Sequence, residues 1–147
     1  QLYLLADRVV ELYALAAQEK QIQLCNTIPK DLYVFVDKEM LITAMRNICN
    51  NAIKFTPNNG KVCFEAVETH TYITVTISDN GAGISPEEIQ TLFTIKPSQS
   101  YKRKKNQGSG LGLIVSKEFI EKNNGTIWVT SQIGVGSTFH IQLPKQG

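Results

Sequence analysis

Met40-Leu41-Ile42-Thr43-Ala44-Met45-Arg46-Asn47-Ile48-Cys49-Asn50-Asn51-Ala52-Ile53-Lys54-Phe55-Thr56 decides how the chain is read. Leu41, Met45, Ile48 and Ala52 recur at spacings of four, three and four, with Ile42, Cys49 and Ile53 beside them. That period belongs to a helix with one buried face. Asn47, Asn51 and Lys54 fall at i, i+4 and i+7, which lines up two carboxamides and an ammonium along one side. Asparagine is a poor helix former, so Asn47, Asn50 and Asn51 each cost a few tenths of a kcal/mol mid-helix. The line is either the solvated side of an amphipathic helix or a ligand row, since carboxamide oxygens suit Mg²⁺ and a lysine meets phosphate.

Outward from this helix, Leu5, Val9, Leu12, Leu15 and Ala16 predict a first helix over residues 4–19, followed by an alternating strand at 21–25. Tyr33 to Val36 reads as a short strand, and Asp37 caps the central helix, which stops before Pro57. Val62, Phe64 and Ala66 then face Ile73, Val75 and Ile77 across a hairpin at residues 68–71. Ser85-Pro86-Glu87-Glu88 starts a short helix reaching about Phe93. From Thr94 to Gln107 periodicity is lost and Lys96, Lys102, Arg103, Lys104 and Lys105 accumulate, as in a long functional or disordered loop. Leu111 to Ile120 forms another helix with Asn123-Asn124-Gly125 as its C-cap, and strands at 126–129 and 137–143 close the chain. The expected fold is α+β: one largely antiparallel sheet with helices on a single face.

Composition bounds the function. The 147 residues are 42% hydrophobic and 19% charged, with a net charge of +2. That suits a soluble domain with a real core, and gives no footing for nucleic acid or a membrane surface. No apolar run approaches the ~18 residues of a spanning helix. The chain opens in helical sequence without an initiating Met, as a piece of a longer protein would. Cys25, Cys49 and Cys63 are odd in number and lack CxxC spacing, which reads as buried free thiols in a reducing compartment.

Two glycine motifs add chemistry. Asp79-Asn80-Gly81-Ala82-Gly83-Ile84 follows a strand; its glycines permit close approach of a flat ligand, and Asp79 could accept a hydrogen bond from an exocyclic amine. A plain Asx-Gly turn explains the same residues. Gly108-Ser109-Gly110-Leu111-Gly112-Leu113 opens a helix, where free N–H groups can meet phosphate, although a hinge would look alike. It is neither a dinucleotide fingerprint nor a Walker loop. In Gly134-Val135-Gly136-Ser137-Thr138 a hairpin turn accounts for the glycines and leaves Thr138 as the residue of interest.

In this order and spacing, NxxxNAxK, DxGxG, Leu92-Phe93, a basic loop, GxGLGL and GxGST resemble the catalytic ATP-binding domain of sensor histidine kinases, of the GHKL superfamily. Phe55-Thr56-Pro57 and Lys117 to Glu121 resemble its hybrid-sensor branch. The likeness runs from about Leu4 to Leu143. It implies the Bergerat fold: a two-layer α/β sandwich with a mixed, mostly antiparallel sheet and about three helices on one face. It further implies that Asn51 holds Mg²⁺ with Asn47 assisting, and that Lys54 meets phosphate, making Asn47 and Lys54 the catalytic pair. Asp79 would recognise adenine with Thr138 near the same edge, Gly81, Gly83 and Ile84 would line the base, and Gly108 to Leu113 would wrap the triphosphate. Phe55, Leu92 and Phe93 would form walls, and Lys102 and Arg103 would belong to a lid. One departure is Lys96, which stands where the family commonly has a second Phe.

ATP-hydrolysing relatives place a Glu four residues before the metal-binding Asn, as general base; here that position is Asn47, which cannot take a proton. The resemblance therefore implies Mg·ATP as cofactor and transfer to a histidine on a separate dimerisation domain, with a response-regulator receiver downstream. His70 and His140 match no acceptor motif. The fragment is expected to be cytoplasmic, from a parent of either anchorage, and nearly inactive without the acceptor. A serine kinase of the anti-sigma type and a nucleotide-sensing, non-catalytic module are the alternatives.

Overall fold

The computed structural model describes residues 1–94 and 111–145. In chain order these form α1 (Leu2–Glu19), β1 (Gln23–Asn26), α2 (Lys38–Phe55), β2 (Lys61–Glu68), β3 (Tyr72–Asp79), α3 (Pro86–Thr91), α4 (Leu111–Lys122), β4 (Thr126–Gln132) and β5 (Gly136–Pro144). The five strands make one sheet in the order β1-β2-β3-β5-β4. β1 runs parallel to β2, and the remaining pairs are antiparallel. The fold is α+β, as expected, with four helices among the described residues.

The pleat divides the sheet. Val62, Phe64, Ile73, Val75, Ile77, Ile127, Val129, Phe139, Ile141 and Leu143 are buried and share one parity along their strands. They meet the apolar sides of the helices, with Leu41, Met45 and Ile48 of α2 fully buried. The other parity carries Thr74, Thr76, Ser78, Thr138, His140 and Gln142. Trp128 stacks on His140 there at 4.9 Å, and His140 Nε2 lies 3.0 Å from Thr130 Oγ1.

Side chains pin the helices that frame the site. Asp37 accepts from the Met40 N–H at 3.0 Å, the N-cap read from the sequence. At the other end of α2, Lys20 Nζ donates to the carbonyls of Ile53 (2.8 Å) and Lys54 (3.2 Å), a cation on the orphan groups at the negative end of the dipole. Asn123, just past α4, accepts from the Asp37 N–H at 2.8 Å and donates to Phe119 O at 2.8 Å. Thus the end of α4 meets the start of α2. Since Asn47 meets Gly112 further along, the two helices run antiparallel.

One predicted strand is absent: Tyr33 to Val36 is irregular. Its alternation is real, with Val34 and Val36 against the core and Tyr33 and Phe35 exposed by 65% and 74%. The segment is anchored at both ends to the helix layer, through Leu32 O to the Leu2 N–H and through Asp37 to Asn123. Among the described residues no strand pairs with it to complete a ladder. Smaller differences are that α3 stops at Thr91 and that Asn124, not Gly125, takes the left-handed conformation after α4 (φ 61°).

Candidate functional site

A cavity of about 400 Å³ opens between the C-terminal half of α2, the turn after β3, α3, the first turn of α4 and the start of β5. That size suits a ligand of cofactor dimensions. Asn47, Asn50, Asn51, Lys54 and Asp79 supply polar groups, while Ile84, Leu92, Leu113 and Phe139 supply an apolar wall. Phe93 stands behind that wall, edge-on to Phe139 at 6.4 Å.

The Asn47 carboxamide is oriented unambiguously. It lies 2.9 Å from Gly112 O, and a carbonyl can only accept, so the amide nitrogen must face α4. Its second hydrogen goes to Ser116 Oγ at 3.1 Å, and Ser116 in turn donates to Gly112 O at 2.7 Å. Both amide hydrogens are thereby used, leaving Oδ1 as the group Asn47 can offer a cation. A Cβ on Gly112 would come within 3.2 Å of Asn47 Cγ, so this glycine lets α4 approach α2.

Asp79 ends β3 with its carboxylate half-buried. Burial pushes its pKa above the ordinary 3.8, while the backbone N–H groups of Gly81 and Ser137 hydrogen-bond the carboxylate and pull it back. The Gly81 bond measures 2.9 Å. The turn after it is riveted to the β4–β5 hairpin: Ile84 N–H donates to Ser131 Oγ at 2.7 Å and Gly134 N–H to Ala82 O at 2.8 Å. Gly83 closes this seam at φ 83°, where a Cβ would lie 2.4 Å from Gln132 O. Ser131 spends its single proton on Gly136 O at 3.0 Å, so the 2.8 Å contact between the two hydroxyls is a donation from Ser137. Ser137 therefore keeps acceptor capacity on the cavity side.

Of the predicted site residues, the structure brings Asn47, Asn51, Lys54, Phe55, Asp79, Gly83, Ile84, Gly112 and Leu113 to this cavity. Gly81 sits one step back, on the Asp79 carboxylate, and Leu111 begins α4. Thr138 is not brought there. It lies on the opposite side of the sheet, 3.1 Å from Ser78 Oγ, and its neighbour Ser137 lines the cavity instead. Nor does the hairpin turn alone account for Gly136, whose Cβ would strike Asp79 O. Lys102, Arg103, Gly108, Ser109 and Gly110, and with them the lid and Lys96, lie outside the described residues. Sequence reasoning also passed over Ser116, Asn50, Glu88 and Phe139. Among the described residues no group of three or more His, Cys, Asp or Glu is placed to hold a metal.

Comparison with known proteins agrees with this architecture. Residues 36–147 match the family described as Histidine kinase-, DNA gyrase B-, and HSP90-like ATPase. The adaptive-response sensory kinase SasA of Synechocystis sp. is 36% identical over 142 residues, covering 95% of this chain and 37% of the relative. The sensor-like histidine kinase SenX3 of Mycobacterium bovis is 30% identical over 141 residues, covering 95% and 34%. The chain thus spans about a third of the length of these curated relatives. The catalytic domain of histidine kinase ThkA superposes with a TM-score of 0.85 at 26% identity, covering 99% of this chain and 95% of that one. Full-length ShkA in complex with AMPPNP gives 0.85 at 25% identity, covering 98% and 30%. The chain belongs to the histidine kinase-, DNA gyrase B- and HSP90-like ATPase family, and within it to the catalytic ATP-binding domains of sensor histidine kinases.

Proposed function

We propose that this domain binds Mg·ATP in the cavity beside α2 and donates the γ-phosphoryl group to a histidine on a separate dimerisation region, with a response-regulator receiver as the next acceptor. The observation that carries the reading is the division of the cavity into an apolar wall ending at Asp79 and a carboxamide row ending at Lys54. A flat base and a polyphosphate need those two environments.

The donor set fits a hard cation. Asn47 has only its oxygen left to offer, and Asn51 stands one turn further along the same helix. Among the described lining residues, Lys54 is the one cation, against the carboxylates of Asp79 and Glu88. A triphosphate there needs further positive charge. Bound Mg²⁺ would supply it by neutralising phosphate oxygens. Asn47 and Asn51 would hold the metal, and Lys54 would face phosphate. Asp79 would accept from the adenine amine beside the acceptor oxygen of Ser137. Gly112 and Leu113 would offer backbone N–H groups at the positive end of α4.

Transfer is favoured over hydrolysis because the Asn47 side chain cannot take a proton from water, so catalysis rests on positioning and charge. His140 is on the helix-free side of the sheet and His70 is in the β2–β3 turn, so neither histidine adjoins the cavity. We assign the acceptor to another part of a longer protein, and the domain itself to the cytoplasm. Among the described residues no helix is long and apolar enough to cross a membrane.

The test is titration with a nonhydrolysable ATP analogue, with and without Mg²⁺, for the wild type and Asn51→Asp, followed by an acceptor domain supplied in trans. Saturable binding whose Mg²⁺ dependence changes in the variant, and phosphohistidine on the acceptor, are expected. No binding at millimolar analogue would sink the proposal. Phosphoserine would redirect it to a serine kinase, and binding without transfer to a nucleotide-sensing module.

A further inference from the structure

Two of the three cysteines, far apart in sequence, meet in space. β1 and β2 pair in parallel with Cys25 directly opposite Cys63. Neighbouring strands lie about 4.8 Å apart, inside the Cα separation of about 4.4–6.8 Å that a disulfide spans. Each thiol approaches a β2 carbonyl, Cys25 to Val62 O (3.6 Å) and Cys63 to Phe64 O (3.9 Å). Both are free thiols. Cys63 shares its parity with the exposed Lys61 and Glu65, which puts the pair on the helix-free side of the sheet. β1 is an edge strand of the sheet, and Cys25 is partly exposed where Cys63 is only 8% so.

We propose that Cys25 and Cys63 form a dithiol site that low-molecular-weight disulfides convert reversibly into a cross-strand disulfide. The Cys25 thiolate attacks one sulfur of the incoming disulfide, forming a Cys25 mixed disulfide and releasing one thiolate, which takes up a proton. The Cys63 thiolate then attacks Cys25 Sγ, forming the Cys25–Cys63 bond and expelling the second small thiol. Two protein thiols are oxidised, one external disulfide is reduced, and both protons leave on the released thiols. The order follows from exposure, because Cys25 is the sulfur an external reagent reaches first.

The rate should be low near neutrality. Burial, the neighbouring Cys63 thiol and the Glu65 charge raise the Cys25 pKa, against the lowering effect of Lys61, so that it is pushed up to about 11 and little thiolate is present. The bond would close a loop containing all of α2, the helix bearing Asn47, Asn51 and Lys54. Constraining so long a loop in the unfolded chain should raise Tm by roughly 5–12 °C.

The reduced 147-residue chain is incubated with millimolar oxidised glutathione at mildly alkaline pH and read by intact mass, peptide mapping and thermal melting. The expected product has lost two hydrogens, joins the Cys25 and Cys63 peptides, retains one free thiol at Cys49 and melts higher. Dithiothreitol reverses all of this. Cys49→Ser should behave alike, whereas Cys63→Ser should stop at one glutathione adduct on Cys25. A persistent adduct on wild-type Cys25 would overturn the proposal. So would three thiols remaining free, or a link involving Cys49.

Discussion

Two glycines in nearly the same conformation provide an internal control on how the turn after β3 is built. Gly83 has φ 83° and Gly134 has φ 82°. An alanine at either pays a left-handed penalty of about 1–2 kcal/mol, offset by about 0.4–1 kcal/mol of lost unfolded-state freedom. The net is roughly 1 kcal/mol at both. Their surroundings differ: nothing lies within 4 Å of a Cβ on Gly134, whereas at Gly83 it would meet Gln132 O at 2.4 Å and Ile133 Cα at 2.7 Å. Those are backbone atoms of the β4–β5 connection and cannot rotate away. Overpacking of that kind adds about 2–3 kcal/mol. Gly83→Ala should therefore melt about 4–12 °C below Gly134→Ala, at roughly 2–4 °C per kcal/mol for a domain of this size. Differential scanning calorimetry in the absence of nucleotide measures it. Gly83 also lines the cavity, so its variant should bind an ATP analogue at least about tenfold more weakly, a loss of about 1.4 kcal/mol. Equal melting temperatures would refute the view that the turn is seated against the hairpin backbone.

Other perturbations separate stability from binding. Asp79→Asn should weaken nucleotide binding by about 100-fold or more, since the amide can still accept from Gly81 and Ser137 but would present N–H to the adenine amine. The same variant should leave the empty domain no less stable. With a raised folded-state pKa, Asp79 contributes stability below its unfolded value that is lost as pH rises through the folded one, and urea titrations across that window should show the slope vanish in the variant. His140 has the opposite sign: burial lowers its pKa below 6.5, so its contribution is present above 6.5 and lost as pH falls, a dependence that His140→Gln should flatten. Ser116→Ala removes a buried acceptor from Asn47 and should cost about 1–3 kcal/mol in chemical denaturation, with binding weakened through the loosened carboxamide.

What could be read from the sequence was what is local. The period of α2, the Asp37 cap, the β2–β3 hairpin and the Asp79–Gly83 turn each declare themselves within a few residues, and each is present. What depended on partners distant in the chain was missed. Tyr33 to Val36 alternates like a strand but lies in the helix layer, and the contact of Ser116 with Asn47 joins positions 69 apart. The Cys25–Cys63 pairing is a matter of register between strands flanking a helix. Thr138 was a local misreading. Ser137 shares its parity with Phe139, Ile141 and Leu143, so counting by twos from the core residues of β5 would have chosen the serine.

The two-ended attachment of Asn47 bears on how readily this scaffold could change its chemistry. Installing the water-activating acid by Asn47→Glu alone would remove both donors from α4 and set a carboxylate against the Gly112 carbonyl and the Ser116 hydroxyl. The Ser116 hydroxyl can turn to donate to that carboxylate, but the Gly112 carbonyl can only repel it, just where Gly112 allows the helix pair to close. A change of chemistry at position 47 is therefore also a change to the seam between α2 and α4. Ser116 already carries the one donor that could answer the acid, so the change leans on a hydroxyl that now serves the Gly112 carbonyl.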